Sequence, residues 1–163
     1  RARGLGTPLL LVRRASSSPD VLFDETFPCF VERAYLLRIA REHTVAFVNE
    51  PLVRVYRDKT EKHVANPAAA VEAYRLLMRK YASEIDEIPG LLGYYRYRVA
   101  RELSSVGRMG EARRELVQAI RQLPRRPGLY LWFLATWLGR PGAWLARRVI
   151  KIQPPRGKQH QKP

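Results

Sequence analysis

The chain alternates between two grammars of apolar spacing. Near the start, TPLLLVRR (residues 7–14) is an apolar run of strand length held between Gly6, Pro8 and the Ser16–Pro19 cluster, and it predicts one buried strand. From Val31 the apolar positions Val31, Ala34, Tyr35, Leu36, Leu37, Ile39 and Ala40 cover most of a cylinder, which predicts a largely buried helix. TVAFV and LVRVY (44–48 and 52–56) are β-branched and alternating, with Pro51 between them. They predict two edge-like strands or one bent strand.

Beyond residue 65 the period is helical throughout. Asn66 and Pro67 suit an N-cap and a first helical position, and Ala70, Tyr74, Leu77 and Tyr81 keep one helical face. Pro89 and Gly90 break the chain. The following stretch to Pro127 predicts two helices separated near Gly107 to Gly110. Its second half, GRMGEARRELVQAIRQLPRRP, resembles a tetratricopeptide helix pair, and one such hairpin must dock on something else to bury both its faces. GLYLWFLATWLG is apolar nearly all round yet too short to cross a bilayer. The end, QPPRGKQHQKP, is Pro-rich and basic and is predicted to be disordered.

Charge narrows the partners. With 30 Lys and Arg against 15 Asp and Glu in 163 residues, the net charge is +15 and the pI about 10.7. Such a surface favours anions: nucleic acid, acidic lipid headgroups or a phosphorylated substrate. Cys29 is the sole cysteine, so no internal disulfide forms, and no secretion signal opens the chain, which points to a reducing cytosolic setting. No Cys/His spacing suggests zinc.

The central segment carries a resemblance. The order LLVRR, short loop, FDE, hydrophobic-Pro, acidic residue, apolar helix ending in LRIARE, then VAFVNEPLVRVYR resembles the C-terminal part of family 2 glycosyltransferases over roughly residues 8 to 64. The resemblance implies an α/β remnant of a GT-A fold over 1–64, followed by an all-α extension over 65–153 with the tetratricopeptide-like hairpin, and a disordered basic tail over 154–163. It lays Phe23, Asp24 and Glu25 on the family's turn, Pro28 on its Pro, Val31 and Glu32 on its acidic pair, and Arg38 on the helix Arg. By that position Glu32 is the catalytic base, standing where the family has Asp, while Val31, Arg33 and Ala34 depart from its acidic or polar neighbours.

An inverting sugar transfer needs a base to take the acceptor hydroxyl's proton as it attacks the anomeric carbon. A carboxylate at a helix start beside a cleft suits that task. The same carboxylate is equally well explained as a helix N-terminal acid favoured by the backbone dipole. Asp24 and Glu25 are candidate substrate-binding acids, or simply turn and helix-entry residues. In DKTEKHVANP the family often has a loop that closes over the diphosphate, so Arg57, Lys62 and His63 are candidate phosphate contacts; a solvated loop with a surface histidine is the alternative. The family holds its nucleotide on a parallel sheet and a divalent metal, Mg or Mn, on an Asp-x-Asp motif in an N-terminal half. Neither is found in this chain, so the metal ligands are absent from it and a fragment or truncated gene product is expected.

The activity implied is inverting transfer of a sugar from a nucleotide-diphosphate sugar to the hydroxyl of a glycan or lipid-linked acceptor, in cell-surface glycan or glycoconjugate synthesis. Its expected place is the cytoplasm, peripheral on the inner face of the cytoplasmic membrane. The competing class is a non-catalytic basic binding module whose helical hairpin and cationic tail engage protein, anionic lipid or RNA. Tyr94, Tyr95 and Tyr97 interleave with Arg96 and Arg98, which suits nucleic-acid stacking and equally suits core packing with Arg on the wet side. Trp132, Trp137 and Trp144 with Arg140, Arg147, Arg148 and Lys151 resemble an interfacial amphipathic segment, with a buried capping helix as the alternative.

Overall fold

The computed structural model describes residues 11–12, 23–43, 46, 48, 50, 52 and 66–155. The chain divides into two compact units, Arg1–Ala65 and Asn66–Pro163. Among the described residues every regular element is a helix.

In the first unit, α1 spans Val31–Glu42. The chain reaches it through a turn built on Asp24, whose carboxylate accepts from the Thr26 amide at 3.1 Å and from the Thr26 hydroxyl. The Asp24 carbonyl accepts from the Phe27 amide at 3.2 Å. This Asx geometry fixes a short polar side chain against its own backbone, and it turns Phe27 inward, where it is buried. Phe30 then enters the helix with φ 63°, a left-handed conformation uncommon outside glycine, and the Arg33 guanidinium lies 4.4 Å from its ring centroid. Ala34, Tyr35 and Ile39 are buried, while Val31, Leu36 and Leu37 are half-buried. The Phe23 ring stacks on Tyr35 at 4.7 Å.

The α/β expectation for this unit is overturned, because no strand or sheet occurs among the described residues. Most of the three predicted strands, 7–14, 44–48 and 52–56, lies outside those residues. The described positions in them are not strand, and Leu11, Val48 and Leu52 are exposed. Alternation makes a strand only when a partner strand satisfies its backbone and its apolar side finds cover, and these three side chains find none. A GT-A remnant is therefore not the architecture seen.

The second unit is all-α, as the helical spacing predicts for this part of the chain. Asn66 caps α2 (Pro67–Lys80), its side-chain oxygen accepting from the Ala68 amide at 3.0 Å with Pro67 in the first turn. Ala70, Tyr74, Leu77 and Tyr81 are all buried. The short α3 (Ala82–Asp86) follows, and Gly90 leads into α4 (Leu91–Ser105). Helix α4 ends in a Schellman turn: the Arg108 amide donates to Leu103 O at 3.0 Å and the Gly107 amide to Ser104 O at 3.3 Å. That closure needs a left-handed residue, supplied by Gly107 at φ 86°.

Helix α5 (Met109–Gln122) then runs back along α4. Gly93 near the start of α4 lies against Gln122 and Leu123 at the end of α5, and Arg96 pairs with Glu115 at 3.1 Å. The buried face of α5 is Ala112, Leu116 and Ala119, the i, i+4, i+7 spacing of an amphipathic helix. Helix α4 is the centre of the unit, touching α2, α5 and α7. Its tyrosines close on one another and on Trp132: Tyr97 meets Trp132 edge-on at 5.6 Å, and Tyr94 neighbours both Tyr95 and Tyr97. The Arg98 guanidinium donates to the Tyr94 hydroxyl at 3.1 Å and lies 5.2 Å from the Tyr74 ring centroid. The interleaved Tyr and Arg positions are thus packed together within the unit.

The last helices are α6 (Pro127–Ala135), a 3-10 turn over Thr136–Leu138, and α7 (Gly139–Val149). Leu129 and Trp132 bury one side of α6, and Gly142, Ala143 and Ala146 bury one side of α7. Small residues let the two segments come close. A Cβ on Gly142 would lie 2.2 Å from the Ala135 carbonyl oxygen.

Candidate functional site

The residues singled out by the family resemblance fall in three places. Glu32 sits in the first turn of α1, half-buried, at the end of the helix where free amides and the dipole favour a carboxylate. Asp24 is engaged by Thr26 and holds the turn that leads to the helix, and Glu25 is exposed on that turn. Arg57 and His63, with Lys62, lie outside the described residues. The structure therefore brings Asp24 and Glu32 into one turn–helix segment and gives Asp24 a turn-forming role.

A second site comes from side chains in the helical unit. Arg101, Ser104 and Ser105 of α4 and Arg140, Pro141, Ala143, Trp144 and Arg147 of α7 line a groove of about 440 Å³. Glu102 organises it. Its Oε1 accepts from Arg101 Nε at 3.2 Å and Nη2 at 2.9 Å, and its Oε2 accepts from Arg147 Nη2 at 2.8 Å. Glu102 is itself buried, so the carboxylate is a fixed fork on which two guanidiniums from distant parts of the sequence are set side by side. Two positive charges on one negative leave a net charge of +1, and Arg140, which joins no ion pair among the described residues, adds another.

The hydroxyls contribute little to anion binding. Ser104 donates to Ala100 O at 2.8 Å and Ser105 to Glu102 O at 2.6 Å, so the donors left for an anion are guanidinium N–H groups. Arginine suits that role because its planar fork matches the oxygens of a phosphate.

The groove opens beside an apolar surface. On α6, Tyr130, Leu131 and Leu134 are exposed; on the 3-10 turn and α7, Trp137 (66%), Leu138, Trp144 (57%), Leu145 and Val149 are exposed. Arg113 lies 4.3 Å from the Trp137 ring centroid and Arg148 4.1 Å from that of Trp144. The Trp-rich stretch is thus divided, with Trp132 inside and Trp137 and Trp144 outside. From Leu116 to Pro163 there are ten Lys or Arg and no Asp or Glu.

Compared with family models, curated proteins and solved structures, the chain matches none. The two sites therefore stand on their own residues.

Among the described residues no three His, Cys, Asp or Glu gather as a metal-binding set. No helix among them is long and apolar enough to cross a membrane. Sequence reasoning had named Arg140, Arg147 and Trp144 but missed Arg101, Glu102, Ser104 and Ser105. The available signal was Glu102 as the lone acid in RYRVARELSS, a carboxylate among three arginines within one helix. Nothing in the spacing revealed that its second partner would be Arg147.

Proposed function

We propose that this chain is the acceptor-side portion of an inverting glycosyltransferase that uses a nucleotide-diphosphate sugar. The observation that carries the reading is the order FDE, Pro28, Glu32, LRIARE, VAFVNEPLVRVYR, with Glu32 standing half-buried in the first turn of α1. In this reading the Asx turn at Asp24 fixes the approach to the helix. The helix start presents the Glu32 carboxylate, which removes the proton of the acceptor hydroxyl as its oxygen attacks the anomeric carbon and the nucleotide diphosphate leaves from the opposite face. The donor half, with its metal and nucleotide, is supplied outside these residues, and the setting is the cytoplasmic membrane face. In the protein joined to that half, Glu32→Gln lowers kcat by about 10²–10⁴-fold while nucleotide-sugar affinity, read by calorimetry, stays at the parent value. Unchanged turnover would remove Glu32 from the mechanism.

A second reading has a specific observation in its favour. The exposed Trp137 and Trp144 of the 3-10 turn and α7, with Arg140 of α7 outside any ion pair among the described residues, support a non-catalytic binding module that engages an anionic partner, whatever the first unit does.

A further inference from the structure

We infer that the groove between α4 and α7 is a seat for the phosphate of an anionic phospholipid headgroup, and that the helical unit lies on the bilayer surface through Trp137, Trp144, Leu138 and Leu145. The inference goes beyond the transferase reading, does not depend on it, and names the partner of the binding-module reading. Three features select a bilayer. Glu102 fixes Arg101 and Arg147 together, and Arg140 at the same groove has no counter-ion among the described residues, so the site is complementary to an oxyanion. Trp144 lines that groove and is exposed, which places an indole beside the anion seat; tryptophan favours headgroup depth, where one part of the ring is apolar and its N–H is wet. Finally, Leu145 and Val149, four residues apart on α7, expose aliphatic groups on a helix that also carries Arg147 and Arg148.

That combination of cations and aliphatic side chains on one helix fits a surface with both phosphate and acyl chain, and a nucleic acid offers no apolar layer for the leucines. Peripheral contact is the only mode open to these helices, since none among the described residues can span a bilayer. Anionic lipid supplies about 1 kcal/mol for each Lys or Arg brought to the surface, a factor of about five in partitioning.

The test uses the full chain with phosphatidylcholine vesicles, with and without phosphatidylserine, read by co-sedimentation and by tryptophan emission. Binding is expected only to the vesicles containing phosphatidylserine, with a blue shift from Trp137 and Trp144. Arg140→Gln is expected to weaken it about fivefold, and Trp144→Ser to weaken it and reduce the shift. Arg125→Gln, an equal loss of charge at an exposed position outside the groove lining, is expected to weaken it less than Arg140→Gln. Equal binding to neutral vesicles, equal loss in Arg125→Gln and Arg140→Gln, or no loss in Trp144→Ser would each overturn the inference. So would binding of inorganic phosphate with no binding to phosphatidylserine vesicles, which would make the groove a free-phosphate site, or preferential capture by RNA. No sugar donor enters the assay, so its failure leaves the transferase reading untouched.

Discussion

At the scale of single residues, Glu102 of α4 and Glu111 and Glu115 of α5 are each placed by arginines. Glu111, in the first turn of α5, receives Arg108 Nε at 2.6 Å and Nη2 at 2.7 Å on its two oxygens. These hydrogen bonds hold its carboxyl below the usual glutamate range, with the nearby charges of Arg108 and Arg75 acting the same way. A depressed folded-state pKa means that the contribution to stability is present above the unfolded value of about 4.3 and is lost as pH falls through the lower folded value. Carboxyl NMR titration should show Glu111 among the last glutamates to protonate, and Arg108→Ala should return it toward the ordinary range. Glu102 illustrates what sequence leaves hidden at this scale. Its neighbour Arg101 is obvious, but Arg147 lies 45 residues away, and only folding of α7 onto α4 makes the pair. The tyrosines of α4 left stacking and packing both open in the sequence, and it is the fold that buries Tyr97 edge-on against Trp132.

At the scale of elements, helices were readable and strands were not, for one physical reason. A helix satisfies its backbone within itself, so a cap such as Asn66 and a face such as Ala70, Tyr74, Leu77 and Tyr81 are complete local evidence. A strand depends on a partner that may be far off in sequence, so the alternation in VAFV and LVRVY said nothing about whether one exists. The all-apolar α6 posed another difficulty: with no polar face, spacing could not say that Trp132 points in while Leu131 and Leu134 point out. The α6–α7 joint is held by close approach at Gly142, where a Cβ would meet Ala135 O at 2.2 Å and Leu138 Cβ at 2.6 Å. Since backbone cannot yield as a side-chain tip does, Gly142→Ala should destabilise the unit by about 1–3 kcal/mol in urea unfolding. Gly110→Ala in α5, where a Cβ meets nothing within 4 Å, should be neutral or slightly stabilising.

At the scale of the molecule, charge and core pull in opposite directions. Residues 66–155 contain 16 Lys or Arg against 7 Asp or Glu, a net charge of +9, and like-charge repulsion opposes compaction. Against this stands a core drawn from the unit's own helices, with Tyr74, Leu77, Tyr97, Leu103, Leu116, Leu129 and Trp132 all essentially sealed from solvent. Each such aliphatic or aromatic side chain contributes about 1.5–3 kcal/mol on burial. A chain of about 90 residues with this much enclosed surface is long enough to fold without help. A fragment beginning at Asn66 and ending at Pro155 should therefore keep a helical circular dichroism spectrum and unfold in one cooperative transition. Its stability should rise as salt screens the repulsion between arginines. Vesicle binding, which needs those same charges unscreened, should fall over the same salt range. The opposed slopes separate the two roles of the arginines: if stability and binding weakened together with salt, the cations would be holding the fold rather than presenting themselves to a partner. A broad, non-cooperative melt of the fragment would mean that residues before Asn66 complete the core.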